Sequence, residues 1–187
     1  MNNEEIQGLG LKHVGKDVRI SKKASFYNPA NISIGDFSRI DDFCIISAGN
    51  GGIEIGRYVH IGCYSSLIGQ GRIIIEDYSG TSGKVSIYSS SDDSTGEFMC
   101  HPTIPEDFTN VEHGPVTLKK HVVVGAGSVV LPNVVIEEGV FIGALSLINK
   151  NCEAFSIYGG IPAKRIKKRS TNLCKLEKQL LAWEKES

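Results

Sequence analysis

Leu118-Lys-Lys-His-Val-Val-Val-Gly-Ala-Gly-Ser-Val-Val-Leu-Pro-Asn-Val-Val-Ile-Glu-Glu-Gly-Val-Phe-Ile-Gly-Ala-Leu-Ser-Leu-Ile-Asn-Lys-Asn-Cys-Glu-Ala154 decides the fold. An aliphatic or small residue returns every sixth position, at Leu118, Val124, Val130, Ile136, Ile142, Ile148 and Ala154. Four positions after each anchor stands a second one: Val122, Ser128, Val134, Val140, Ser146 and Cys152. A helix would repeat its apolar side chains at 3.6 and a lone strand at 2. Spacings of four and then two put both residues of each hexapeptide on one inner side, with a corner between units. Three units close a triangular coil of about 18 residues, and successive coils stack their apolar side chains. The same period runs through Ile34, Ile40 and Ile46, through Ile55, Ile61 and Leu67, and through Ile75, Thr81 and Ile87. Gly follows many anchors, as at Gly35, Gly56, Gly62, Gly125 and Gly143, where a corner can use positive φ. An all-β parallel helix of hexapeptide coils is the predicted architecture, in preference to a β-sandwich.

From that stretch the rest of the chain can be placed. Residues 1–17 are a lead-in, residues 18–169 the β-helix domain and residues 170–187 a terminal helix. Val18 and Ala24 are the first, imperfect anchors, and small register shifts at Gly49–Ile53 and Gly69–Ile74 read as bulged corners. The period stops between 88 and 115, and a long aperiodic segment inside a compact fold is usually functional. After Ala154 the chain turns basic, through Lys164, Arg165, Lys167, Lys168 and Arg169. From Ser170, Leu173, Leu176, Leu180 and Leu181 recur at helical spacing on one face. Such a helix would shield the open end of the solenoid or a neighbouring subunit.

Charge and composition exclude some roles. Twenty Lys and Arg against 21 Asp and Glu leave a net charge of −1, which gives no footprint for nucleic acid or a membrane surface. No apolar stretch approaches the roughly 20 residues of a membrane span. The five cysteines include no C-x-x-C pair, which fits reduced thiols in a cytoplasmic protein. Met1-Asn2-Asn3-Glu4-Glu5 has no secretory leader pattern.

The segments Val124–Lys150 and Tyr158-Gly-Gly-Ile-Pro-Ala-Lys-Arg-Ile-Lys167 resemble the hexapeptide-repeat acyltransferases. Asp92-Asp93-Ser-Thr-Gly-Glu97 ahead of Pro102-Thr-Ile-Pro105 is similar to a branch that builds bacterial surface polysaccharides, including acyltransferases of nucleotide-linked 4-amino-4,6-dideoxy sugars. The resemblance implies a left-handed winding, a homotrimer, and acetyl-CoA as acyl donor in a groove between subunits. The acceptor it implies is a sugar or nucleotide sugar of O-antigen or capsule biosynthesis. It implies corner positions for the pantetheine arm at Ala126 and Ala144, an adenine-phosphate end at Asn149 and Lys150, and cations for phosphates at Lys164, Arg165 and Lys167.

Acyl transfer to an amine or hydroxyl needs a group that takes a proton and donors for the oxyanion. Of the five histidines, His101 and His113 fall in the aperiodic segment, whereas His13, His60 and His121 do not. Many sugar acetyltransferases of this fold have an Asn-His pair where this chain has Ser91-Asp92-Asp93. Asp93 and His113 are therefore the expected proton-handling pair, with His101 third. An acidic residue there also suits an amine acceptor, so N-acetylation is the leading expectation and sugar O-acetylation the alternative. A zinc hydratase of the same fold would need three histidine ligands, two of them about five residues apart. The nearest pair here, His113 and His121, is eight apart. No metal is therefore expected, and an inactive scaffold is the remaining alternative.

Overall fold

The computed structural model describes residues 1–186. Three parallel sheets wrap a single core. The first face stacks His13–Val14, Ile32–Ile34, Ile53–Ile55, Ile73–Ile75, Val116–Leu118 and Val134–Ile136. The second runs from Arg19–Ile20 through His60–Ile61 and Val123–Val124 to Ser156–Gly159, and the third from Ser25–Tyr27 to Leu147–Ile148. Within a strand the two anchors point in and the residue between them points out. Ile53 and Ile55 are buried and Glu54 is not, a pattern repeated at Ile73–Ile75 and Val134–Ile136. The core is a column of Ile, Val and Leu, most of them fully buried. Each such side chain contributes about 1.5–3 kcal/mol relative to an exposed one. Buried serines on the inner faces are all hydrogen-bonded: Ser38 Oγ donates to the Gly56 carbonyl (2.7 Å) and Ser79 Oγ to that of Lys119 (2.7 Å).

The glycines after the anchors do a different job from the one expected. Gly35, Gly56, Gly62, Gly125 and Gly143 do not take positive φ; that conformation falls two residues later, on Phe37, Tyr58, Tyr64, Gly127 and Leu145. At Gly35, Gly56, Gly62 and Gly125 the next coil is too close for a side chain, whereas Gly143, above the shortened last coil, has room for one. A Cβ on Gly35 would sit 2.6 Å from the Gly56 carbonyl carbon, and one on Gly125 would sit 2.5 Å from the Ala144 nitrogen.

The coils differ in length at one corner only, the third, where the third face returns to the first. Val116 pairs with Val134, the expected step of 18, but Ile53 pairs with Ile73 and Ile32 with Ile53. The additional residues lie at Pro29–Asn31, Gly49–Gly52 and Gln70–Arg72, so the two predicted register shifts fall at corners, which they lengthen. The aperiodic segment 88–115 leaves from this same corner.

Both ends depart from expectation. The lead-in already contains the first coil, since His13–Val14 pairs with Ser33–Ile34. Before it, α1 (Asn3–Gln7) is held by a capping box between Asn2 and Glu5 and turns Ile6 onto the end of the core. At the other end Ala154 is exposed and is not an anchor. Cys152 takes the inward place beside Ile136, and burial pushes its thiol up to about 11. The last coil is thus shortened, and Ser156 and Tyr158 supply its next inward side chains.

The terminal helix α2 (Asn172–Glu186) does not cover the open end. It runs back along the first corner, between the first and second faces. There Phe37, Tyr58, Tyr78 and His121 stack rung upon rung, at centroid spacings of 4.8, 5.5 and 5.2 Å. Glu177 meets His121 (2.7 Å) and Lys120 (3.2 Å), and Glu184 meets Tyr58 (2.6 Å) and Arg57 (2.9 Å). The register is dictated by geometry. Seven helical residues rise about 10.5 Å, and two coil steps span about 9.5 Å. Leu173, Leu180 and Leu181 are half-buried, whereas Leu176 is exposed.

Candidate active site

The aperiodic segment begins with a short antiparallel pairing of Ser90–Ser91 with Glu112–His113, which closes its base. The base is tied to the solenoid at several points. Ser89 Oγ donates to the Gly71 carbonyl (2.7 Å), Gly114 N–H to the Ser89 carbonyl (3.0 Å), and Asn133 Nδ2 to Glu112 (2.7 Å). The rest of the loop leans over the lengthened corners, and between loop and third face lies a cleft of about 850 Å³. Asn50, Gln70, Ser90, Asp92, His101 and His113 bring polar groups to it, and Ile68, Ile104 and Val111 give it an apolar wall. Such a concave site with few convergent polar groups suits a small-molecule ligand.

His101 and His113 both line this cleft. Asp93 does not join them in the wall; its neighbour Asp92 does. The Asp93 carboxylate is engaged by its own loop, accepting from Gly96 N–H (2.8 Å), Thr95 N–H (3.0 Å) and Thr95 Oγ1 (2.9 Å). Burial pushes its pKa up, but these hydrogen bonds outweigh burial and hold it below the usual carboxylate value. This is an Asx-type turn, and it orders the loop. His113 Nδ1 is 2.8 Å from Ser90 Oγ, and Ser90 Oγ accepts from the Gln70 amide (2.8 Å). Ser90 and Gln70 escaped the sequence reading, because a serine among Ser89, Ser90 and Ser91 carries no signal of its own.

The other candidates fall into separate groups. Ala126 and Ala144 occupy adjacent rungs of the second corner, where the second face turns into the third; the Leu145 amide donates to the Ala126 carbonyl (2.8 Å). Both are exposed beside Leu145. Asn149 and Lys150 are exposed at the third corner of the last full coil. Lys164, Arg165 and Lys167 lie on the edge strand Lys164–Lys168, antiparallel to Ser156–Gly159. Arg165 is partly spent there on Ser156 (2.9 Å) and Glu153 (3.6 Å). One chain thus brings the loop residues together and the two alanines together, but sets the two groups on opposite edges of the third face.

The remaining histidines have structural settings. His60 bonds Asp41 (2.8 Å), His121 belongs to the ring stack, and His13 lies on the first face. His113 and His121 stand on different corners. Among the described residues no three His, Cys, Asp or Glu side chains are grouped to hold a metal ion, and no helix is long and apolar enough to cross a membrane.

The comparisons with known proteins agree with this fold. Residues 115–150 match the family model for bacterial transferase hexapeptide (six repeats). The chain is 51% identical to a dTDP-4-amino-4,6-dideoxy-D-glucose acyltransferase of Escherichia coli over 173 residues, 92% of this chain and 90% of that one. The crystal structure of AntD, an N-acyltransferase from Bacillus cereus, in complex with dTDP and 3-hydroxybutyryl-CoA, superposes with a TM-score of 0.93 at 43% identity, covering 99% of this chain and 97% of that one. A variant of AntD in complex with dTDP-4-amino-4,6-dideoxyglucose and coenzyme A is similar at 43% identity and a TM-score of 0.93, over 97% and 96% of the two chains.

Proposed function

Because this chain belongs to the hexapeptide-repeat acyltransferases, we propose that it moves an acyl group from a CoA thioester to the amino group of a nucleotide-linked sugar, dTDP-4-amino-4,6-dideoxyglucose or a close analogue. The observation that carries this reading is the end-to-end likeness, loop included, to enzymes of that activity. The cleft's chemistry supports it, since a carboxylate and two histidines beside an apolar wall suit an amine on a deoxy sugar. The amine nitrogen bonds to the thioester carbonyl carbon, the carbon–sulfur bond breaks, and CoA leaves as its thiolate. The proton lost by the nitrogen goes to a cleft residue, Asp92 or His113, with His101 as third candidate. Asp93 orders the loop that presents them. Acetyl is the simplest acyl group, and a hydroxybutyryl group is the other to try.

The active form in this reading is a homotrimer. Ala126 and Ala144 line one edge of the third face and the cleft opens at the other, so the donor arm and the acceptor meet when two copies share a groove. Three heterologous contacts then close a ring with three equivalent sites. Asn149, Lys150, Lys164, Arg165 and Lys167 are the residues assigned to the phosphate end of CoA. The compartment is the cytoplasm, where CoA thioesters and nucleotide sugars are made.

The test is a thiol-release assay with acetyl-CoA and 3-hydroxybutyryl-CoA, each with dTDP-4-amino-4,6-dideoxyglucose. One thiol per sugar and a product stable to mild alkali, as an amide is, are expected. An alkali-labile product would mean oxygen acylation, and no thiol release with either donor would defeat the reading. Light scattering should return three times the chain mass; a monomer would contradict the shared groove.

A further inference from the structure

Asp92 and His113 are the first two candidates for the amine's proton, and the hydrogen bonds at the loop base separate their roles. Ser90 and His113 are directly opposed in the antiparallel pairing, so their side chains stand on the same side of the ladder. A serine hydroxyl has one proton and two lone pairs. The Gln70 amide, which can only donate, occupies one lone pair at 2.8 Å. The other neighbour of Ser90 Oγ among the described residues is His113 Nδ1, at 2.8 Å. With the hydroxyl proton directed at that nitrogen, the chain of donation runs from Gln70 N–H to Ser90 O–H to His113 Nδ1. A ring nitrogen that accepts a hydrogen bond is bare, and the other nitrogen of the neutral ring then carries the proton.

We infer that Ser90 is a positioning residue that keeps the proton of neutral His113 on Nε2, making His113 a hydrogen-bond donor in the cleft and leaving Asp92 to take the proton of the amine. In the acyl transfer proposed above, on which this inference rests, the balance is complete. The nitrogen–carbon bond forms and the thioester carbonyl oxygen takes negative charge facing His113 Nε2–H. The proton on nitrogen passes to the Asp92 carboxylate, and the carbon–sulfur bond breaks to release thiolate. His113 ends the reaction with the proton it began with. A lone histidine base would instead need Nε2 bare, which the donation from Ser90 opposes.

Nitrogen-15 NMR of the wild-type protein reads the tautomer directly. The expected spectrum above neutral pH has a bare Nδ1 and a protonated Nε2 for His113. Ser90→Ala should convert it to a mixture and lower kcat about tenfold, with KM for acyl-CoA unchanged, and Ser90→Thr should restore both. Side-chain replacement separates donor from base. The amide nitrogen of Gln falls near the place of Nε2, so His113→Gln keeps a donor without a base. It should stay within about tenfold of wild type, whereas His113→Asn should lose about 100-fold or more, the usual cost of one oxyanion donor. A wild-type spectrum with the proton on Nδ1, or His113→Gln as inactive as a folded His113→Asn, overturns the inference. The spectrum needs no substrate. If the wild type acylates no amino sugar, the proposed reaction fails on its own, while the tautomer is still tested.

Discussion

The first and third corners of this solenoid are made by the same repeat and have opposite fates. At the first corner every coil spends the same few residues, and the outward side chains stack as Phe37, Tyr58, Tyr78 and His121. The chain then covers that stack with its own helix α2, through Glu177 and Glu184. Aromatic pairs of this kind add about 0.5–1.5 kcal/mol each beyond area burial. At the third corner the coils vary in length, the 88–115 segment leaves, and no ring stack forms among the described residues. Polar side chains there make single ties between rungs, as Asn28 Nδ2 does to the Ala48 carbonyl (2.8 Å). The difference shows how a solenoid divides labour. A corner of fixed length can invest in stability, and a corner that tolerates insertion can acquire a cleft without disturbing the stacked core.

The largest expected effect tests the third corner. Asp92→Asn keeps the size of the side chain and removes the carboxylate proposed to take the proton, so kcat should fall about 100-fold or more. The unfolding free energy should stay within about 0.5 kcal/mol of wild type, as for surface changes outside any network. Steady-state kinetics and urea unfolding check the two halves. If the variant unfolds early, the loop is part of the fold and the contrast between the corners breaks.

The extent to which the sequence announced these two regions follows from periodicity. Strict recurrence marked the core faces, because a buried position every sixth residue can be met only by a coil of fixed geometry. It failed where the geometry changes. Ala154 kept the spacing of six, yet the last coil is shortened and Cys152 takes the inward place. The break in the period marked the loop, and the histidines in it proved to share a cleft. Which of Asp92 and Asp93 faces that cleft is set by an Asx turn inside the loop, a feature that two adjacent aspartates cannot reveal. The ring stack left little trace, because Phe37, Tyr58 and Tyr78 stand 21 and 20 residues apart but His121 follows 43 later, beyond the loop, and outward residues of a repeat carry no constraint that names their cover.

A middle-sized effect is expected at the first corner. Glu177→Ala strips His121 and Lys120 of their common partner, and His121 is largely buried. Losing such a bond leaves a desolvated donor and costs about 1–3 kcal/mol of stability, while kcat with saturating substrates should stay within about twofold. The pH dependence has a definite sign. Burial pushes the Glu177 carboxyl up, but His121 and Lys120 outweigh it and hold its pKa below the ordinary value. A carboxylate depressed in the folded state contributes stability above its unfolded pKa, near 4.3, and the contribution fades as pH falls through the folded value. Urea unfolding between pH 7 and pH 3 should therefore show a steeper acid loss for wild type than for Glu177→Gln. Parallel curves would mean that the helix is held by its leucines alone.

The smallest expected effect sharpens the contrast inside the loop itself. Asp93 accepts hydrogen bonds from Thr95 and Gly96, and an asparagine oxygen can accept from the same donors. Asp93→Asn should therefore preserve the turn and change kcat by no more than about threefold, against the 100-fold expected one residue earlier. Asp93→Ala removes the acceptor and should do more, raising KM for the sugar as the turn loosens and the cleft wall loses its order. The pair of variants distinguishes geometry from charge, because only one of them keeps the hydrogen bonds and both lose the carboxylate. If Asp93→Asn is as damaging as Asp92→Asn, the negative charge at position 93 itself enters the reaction, and the third corner holds two functional carboxylates rather than one carboxylate and the turn that presents it.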